Sequence, residues 1–140
     1  MRRRAFVAIV ALVLGASAAR AHEARPGFLE LRETGKETYS FLWKKPTGGE
    51  VEIQIAPAIP EGCRLTTPDR QLMTPGAMIV RGTLTCAGGL AGKTISIVGL
   101  EATITDVLVR LHHADGRLES HLLRPQTPSV TLGGITAAGE

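Results

Sequence analysis

The chain has 140 residues, and its 16 lysines and arginines against 13 aspartates and glutamates give a formal net charge of +3. Four of the 16 are arginines within the first twenty positions, where no acidic residue occurs, so 12 basic residues face 13 acidic residues from His22 onward. A nucleic-acid-binding domain concentrates basic side chains on one face, and this body has no excess to concentrate. The length after residue 21 suits one domain, and no apolar run reaches the roughly 20 residues of a membrane-spanning helix, which excludes a transporter for this chain alone.

The first 21 residues have the layout of an export signal. Three arginines precede an apolar run at 5–15, and small residues follow it up to Ala21. The A-x-A pattern at 19–21 predicts a signal peptide over residues 1–21, a mature chain beginning at His22 and a periplasmic location. Cleavage after Ala18 and an uncleaved anchor are the alternatives. General secretion is favoured over the twin-arginine route, because the arginines lack the usual preceding serine or threonine.

Export changes how the two cysteines are interpreted, because disulfides persist in oxidising compartments. Cys63 and Cys86 are predicted to pair, which by the chain-entropy argument stabilises the fold by about 3 kcal/mol. Two buried thiols are the alternative. No C-x-x-C pattern is present, so cysteine-based catalysis and a zinc finger have no support.

Residues 22–132 are predicted to form one all-β domain. Val51, Ile53 and Ile55 alternate with polar residues, the period-2 pattern of a strand with one buried face. Further strand-like runs lie between Gly, Pro and Asp clusters, at 28–32, 39–44, 79–86, 94–98, 103–111, 118–123 and 129–132. Eight or so short strands over about 110 residues favour an immunoglobulin-like antiparallel β-sandwich, with an antiparallel barrel as the alternative. The small, polar tail at 133–140 is predicted to be disordered.

Aromatic residues and glycine turns refine this prediction. Tyr39, Phe41 and Trp43 fall on one face of their strand, and large aromatics on one face are typical of a core; a ligand platform is the alternative. Two turns are predicted to close hairpins, Gly48-Gly49 and Asp115-Gly116.

The hairpin around Asp115-Gly116 contains a candidate metal site. A two-residue turn would place His112 opposite Glu119, with His121 as a diagonal neighbour at a Cβ separation of roughly 7 Å. Imidazole and carboxylate groups are common ligands of transition metals, so His112, Glu119 and His121 are candidate ligands, whereas His113 would lie on the opposite face. A three-residue turn with a bulge would shift the register by one and dissolve this cluster.

His22 is the second candidate ligand. Cleavage after Ala21 would free its α-amine beside its own imidazole, and that pair can chelate copper or nickel once both groups are deprotonated. Solvated histidines without a metal role are the alternative for both sites. Nucleophile-elbow and phosphate-loop motifs are absent, so no enzyme activity is expected; an N-terminal-histidine copper oxidase would need a second converging histidine.

Several stretches of the chain carry a family resemblance, in the order AHEARPGFLEL at 21–31, FLWK at 41–44, LAGKTI at 90–95, GLEATITDVLVR at 99–110 and ADG at 114–116. They resemble the exported N-terminal domain found in one branch of the HupE/UreJ-like membrane proteins. Of the candidate ligands, His22 alone lies in a matching motif.

The resemblance implies an exported, non-catalytic accessory domain of a nickel or other transition-metal uptake system. Transport is not carried over, because the multi-helix membrane region of such proteins is not part of this sequence; a separately encoded HupE/UreJ-like membrane protein is the expected partner. The alternative hypothesis is a structural or protein-interaction β-sandwich with no metal role. Metal affinity distinguishes the two.

Overall fold

Ten strands and one short helix make up the part of the chain that the structure, a computed structural model, describes, residues 25–67 and 71–133. The strands are β1 (Gly27–Gly35), β2 (Thr38–Pro46), β3 (Ala56–Ala58), β4 (Cys63–Thr66), β5 (Leu72–Thr74), β6 (Ala77–Cys86), β7 (Thr94–Val98), β8 (Val107–His112), β9 (Leu118–Leu123) and β10 (Ser129–Thr131). A single 3-10 turn, Leu100–Ala102, precedes β8. The predicted signal peptide at 1–21, His22 and the tail after Gly133 lie outside the described residues.

The strands form two sheets. The larger sheet has the order β4-β6-β2-β1-β8-β9, with β5 also paired to β6, and the smaller sheet has the order β10-β7-β3. Pairing is antiparallel except between β1 and β8, which run parallel with Leu29 beside Val109. Because β1 pairs with β2 on its other side, the first strand of the domain lies inside the larger sheet.

The core lies between the two sheets. Alternate residues of β1, β2 and β8 turn inward, as the period-2 geometry of strands requires, and they meet Ile95 and Ile97 of the smaller sheet in one buried cluster. Tyr39, Phe41 and Trp43 are all buried in it, so their predicted core role is confirmed. The predicted all-β sandwich is confirmed as well.

The disulfide between Cys63 and Cys86 is present. The two cysteines are direct partners in the β4–β6 ladder, so the bond ties a short edge strand to the longest strand of the sheet. Beside it, the buried hydroxyl of Tyr39 accepts a hydrogen bond from the backbone N–H of Leu90 at 3.1 Å. The middle of the chain is therefore fixed to the core by both a covalent and a polar contact.

The predicted strand at 51–55 is wrong. This segment forms no ladder, although its side chains still alternate from exposed Val51 to buried Ile55. It connects β2 of the larger sheet with β3 of the smaller one, so its backbone crosses between the sheets and pairs with neither. For the same reason Gly48-Gly49 does not close a hairpin.

Candidate functional site

The β8–β9 hairpin closes through a three-residue loop at 114–116. The N–H of His113 donates to the carbonyl of Arg117 at 2.9 Å, and the N–H of Gly116 donates to the carbonyl of His113 at 3.0 Å. Gly116 has φ +89°, the left-handed position that such loops reserve for glycine. Asp115 accepts hydrogen bonds from the backbone N–H and Nε of Arg117 at 3.0 and 2.7 Å, which fixes the loop.

This loop makes the predicted hairpin register wrong by one residue. Leu111 faces Glu119 and His112 faces Leu118, whereas the two-residue turn would have paired His112 with Glu119. A shift of one residue moves every side chain of a strand to the other face. His112 and His121 therefore lie on opposite faces of the larger sheet, and His112, Glu119 and His121 do not converge.

The register instead gathers His113, Glu119 and His121 on the inner face, a set we call the histidine–glutamate cluster. Nε2 of His121 lies 2.8 Å from one carboxylate oxygen of Glu119, and Nε2 of His113 lies 3.3 Å from the other. The backbone N–H of Gly133 donates to both oxygens, at 3.0 and 3.2 Å. The Glu119 side chain is only 8% exposed, so this carboxylate is held from three directions.

These contacts determine the ionisation of Glu119. Burial by itself raises the pKa of a carboxyl group, but the hydrogen bonds from His121, Gly133 and His113 outweigh it and hold the pKa of Glu119 below its ordinary value. The carboxylate is therefore ionised near neutral pH and accepts hydrogen bonds from both imidazoles or from their protonated forms.

His112 belongs to a separate group on the outer face. Its Nε2 lies 3.1 Å from a carboxylate oxygen of Glu30 on the neighbouring strand, and Arg32 lies 3.9 Å from the other oxygen. Arg110 stacks over the ring of Phe28 at 5.9 Å from its centroid. This group is a set of cross-strand pairs on a partly exposed sheet face.

Neither group forms a metal centre within residues 25–67 and 71–133, where no three His, Cys, Asp or Glu side chains are placed to hold an ion together. In the histidine–glutamate cluster the carboxylate itself occupies the position between the two imidazoles. The contacts of the cluster hold the Glu119 carboxylate between the imidazoles and link the hairpin to the end of β10. His22 lies outside the described residues.

A large concavity with a volume of about 1130 Å³ lies at the end of the sandwich opposite the histidine–glutamate cluster. We call it the entry groove. It lies where β1 and β8 begin, since the N–H of Gly27 donates to the carbonyl of Asp106 just beside it. Its walls are Arg25 and the segments 46–49, 51–53, 75–76 and 101–105. Val51 and Ile104 in these walls are 79% and 81% exposed, which is unusual for large apolar side chains.

Sequence reasoning missed the entry groove. Both apolar side chains were assigned to predicted strands, at 51–55 and 103–111, whereas each lies in a connection between the sheets. The signal that could have found them is the glycine and proline content immediately before each segment, at 46–49 and at Gly99, since such residues interrupt strands.

Within the described residues there is no helix with the length and apolar character needed to cross a membrane. No protein-family model and no curated protein matches the chain.

Proposed function

We propose that the chain is an exported, periplasmic, non-catalytic accessory domain that docks on a HupE/UreJ-like integral membrane protein through the entry groove. The observation that carries this proposal is the joint exposure of Val51 and Ile104 in one concave surface. Contiguous exposed apolar side chains mark interaction sites, and a concave wall gives a partner segment more contact area than a flat one. The Cys63–Cys86 disulfide is consistent with the oxidising compartment that the predicted signal would reach.

We further propose that nickel or copper is bound at His22 and not at the hairpin. The α-amine and imidazole of a chain beginning at His22 supply two ligands from one residue, whereas the hairpin imidazoles are engaged by carboxylates. Arg25, three residues later, lines the entry groove. Three residues span at most about 11 Å, so an ion held at His22 would be within reach of a docked partner.

Docking is tested by co-purification. The chain would be co-expressed with a HupE/UreJ-like membrane protein from the same genome, and the complex would be isolated in detergent through a tag on the membrane protein. We expect the chain to be retained, and we expect Val51→Ser with Ile104→Ser to abolish retention. Val98→Ser is the matched control, because Val98 is 62% exposed but lies outside the groove. The docking proposal would be overturned if the unaltered chain, the double variant and the Val98→Ser control were retained equally, or if none of them were retained.

The metal role is tested on the mature chain alone, by native intact mass with and without nickel and copper. One tightly held ion that is lost in His22→Ala and kept in His121→Ala supports the N-terminal site. A chain that begins at His22, carries its disulfide and holds no ion would reject the metal role. It would favour the alternative, a protein-interaction domain, and would leave the docking test unaffected.

A further inference from the structure

Strand β9 forms one edge of the larger sheet, and one side of it has no partner strand among the described residues. It pairs with β8, and no other strand of the described residues forms a ladder with it. Hydrogen-bonded pairs alternate along an antiparallel ladder, and the bond from His113 to Arg117 sets the phase. Glu119 and His121 thus direct their backbone groups towards β8, while Leu118, Ser120 and Leu122 direct theirs outward.

The other sheet edges of the described residues are shorter or interrupted, and this one is neither. The opposite edge of the larger sheet is divided between the short strands β4 and β5. The edges of the smaller sheet are three residues each, and β3 contains Pro57. Natural proteins block edge-to-edge pairing with short strands, prolines, lysines and inward-pointing charged residues. β9 has one inward-pointing charge, Glu119, and that carboxylate is hydrogen-bonded within the chain. β9 runs for six residues with neither proline nor lysine.

The sequence of β9 is complementary to itself in an antiparallel arrangement centred on Ser120. In that register Leu118 faces Leu122 of the partner subunit, and Glu119 faces His121 of the partner subunit. The outward N–H and C=O groups of one copy then lie opposite those of the other, so they can form the hydrogen bonds of an antiparallel ladder. Leu118 and Leu122 are 53% and 47% exposed, and they would bury each other on the outer face. On the inner face Glu119 keeps the hydrogen bonds within its own chain and lies opposite His121 of the partner subunit.

From this complementarity we propose that the chain forms a symmetric dimer through β9, in which the larger sheet continues across a two-fold axis. The occupant of the free edge is a second copy of the chain, because an isologous interface requires one surface to be complementary to itself. The proposal does not depend on the docking role of the entry groove.

The first test is sedimentation equilibrium of the mature, oxidised chain across a wide range of protein concentrations. We expect a mass twice that of the chain, falling to the single-chain mass in Ser120→Pro. Proline at this position removes an outward N–H and leaves the intrachain ladder intact. Ser120→Ala is the matched control and keeps the dimer, and circular dichroism of all three proteins verifies that they are folded.

The second test identifies the partner and the register. Leu118→Lys with Leu122→Lys, and Leu118→Glu with Leu122→Glu, should each give monomers, and mixing the two proteins should restore a dimer. Ser120→Cys should oxidise to a covalent dimer, because facing residues of a hydrogen-bonded pair lie about 5.5 Å apart between Cα atoms, within the range that a disulfide spans.

Three results would overturn the proposal. The first is a single-chain mass at every concentration, and the second is a dimer that Ser120→Pro leaves unchanged. The third is a chain that dimerises only when it is shortened to end at Gly133, since residues 134–140 would then cover the edge in the full chain.

Discussion

The two ends of the sandwich are built on the same strands but are closed in opposite ways. Where β1 and β8 end, Glu119 gathers two imidazoles and the Gly133 N–H around one carboxylate. Where they begin, two connections leave the sheets and expose Val51 and Ile104. Polar groups that hydrogen-bond to one another stabilise the folded chain, whereas exposed apolar side chains make few contacts within it and so contribute little to its stability. Substitutions should therefore affect stability at the histidine–glutamate end and, at the groove end, should affect stability only where they change the backbone.

The largest loss of stability is expected from a substitution of Gly99, which lies just before the groove wall at 101–105. Gly99 has φ +84°, and a Cβ there would collide with the backbone carbonyl oxygen of Gln54. Gly99→Ala should lower the free energy of unfolding by more than about 2 kcal/mol, measured by urea denaturation. The matched control is Gly48→Ala, whose φ is +90° in open space; it should cost only about 1–2 kcal/mol for the left-handed conformation. Equal losses would show that the contact with Gln54 is unimportant.

The next effect is expected at the centre of the histidine–glutamate cluster. Glu119→Ala removes the acceptor for both imidazoles and for the Gly133 N–H, and groups left unpaired in a poorly exposed site should cost about 1–3 kcal/mol. Glu119→Gln keeps a side-chain oxygen that can accept a hydrogen bond, so its free energy of unfolding should fall by less than that of Glu119→Ala. Thermal and urea unfolding of both variants measure the difference. An Ala variant as stable as the original would mean that the cluster contributes nothing to the closure of this end.

Acid should weaken the same end. Hydrogen bonds, working against burial, hold the pKa of Glu119 below its ordinary 4.5 in the folded chain. The unfolded state therefore binds this proton more tightly, and the stability contributed by Glu119 is present above pH 4.5 and lost as the pH falls through the folded pKa. Urea unfolding against pH should show a shallower acid decline in Glu119→Gln. Parallel curves for the two proteins would contradict the prediction.

A smaller effect is expected for the outer-face pair. Glu30 is 28% exposed where it meets His112, and exposed ion pairs contribute about 1 kcal/mol or less. Glu30→Gln should therefore lower the free energy of unfolding by less than Glu119→Ala does, in the same urea experiment. A larger loss at Glu30 would reverse the assignment of the inner cluster as the stabilising one.

The smallest change in stability is expected in the groove wall itself. Val51→Ser with Ile104→Ser alters side chains that face solvent, so the free energy of unfolding should change by no more than about 0.5 kcal/mol for each substitution. A stable variant that fails to retain the membrane partner separates binding from folding. A variant that unfolds more easily would show that these side chains are packed against the domain in solution.

Much of the fold was predictable from alternation of apolar residues. The bounds predicted for β7 and β9 match those observed. In β7 every second residue is buried, as expected, whereas in β9 the inward positions are taken by Glu119 and His121 and the leucines at 118 and 122 are half exposed. Val51, Ile53 and Ile55 carry the same pattern without a partner strand, and no local signal distinguishes them. The short strands β3, β4 and β5 were missed, whereas β10, also three residues long, lies within the strand predicted at 129–132.

The metal site predicted at His112, Glu119 and His121 was wrong because the length of one turn was wrong. Gly116 suits the second position of a two-residue turn and equally the left-handed position of a three-residue loop. In the longer loop Asp115 makes two hydrogen bonds with Arg117, contacts that the order of residues alone does not reveal. The one-residue difference placed His113 rather than His112 beside Glu119 and His121, and it placed the cluster on the inner face rather than the outer one.

The parallel pairing of β1 with β8 has a consequence for the order of folding. Leu29 cannot acquire its neighbour Val109 until nearly the whole domain has been synthesised, and pairings this distant in sequence slow folding. Until then the larger sheet lacks the pairing between β1 and β8. The larger sheet is therefore built from both ends of the described chain, and its pairing between β1 and β8 forms only after most of those residues have been synthesised.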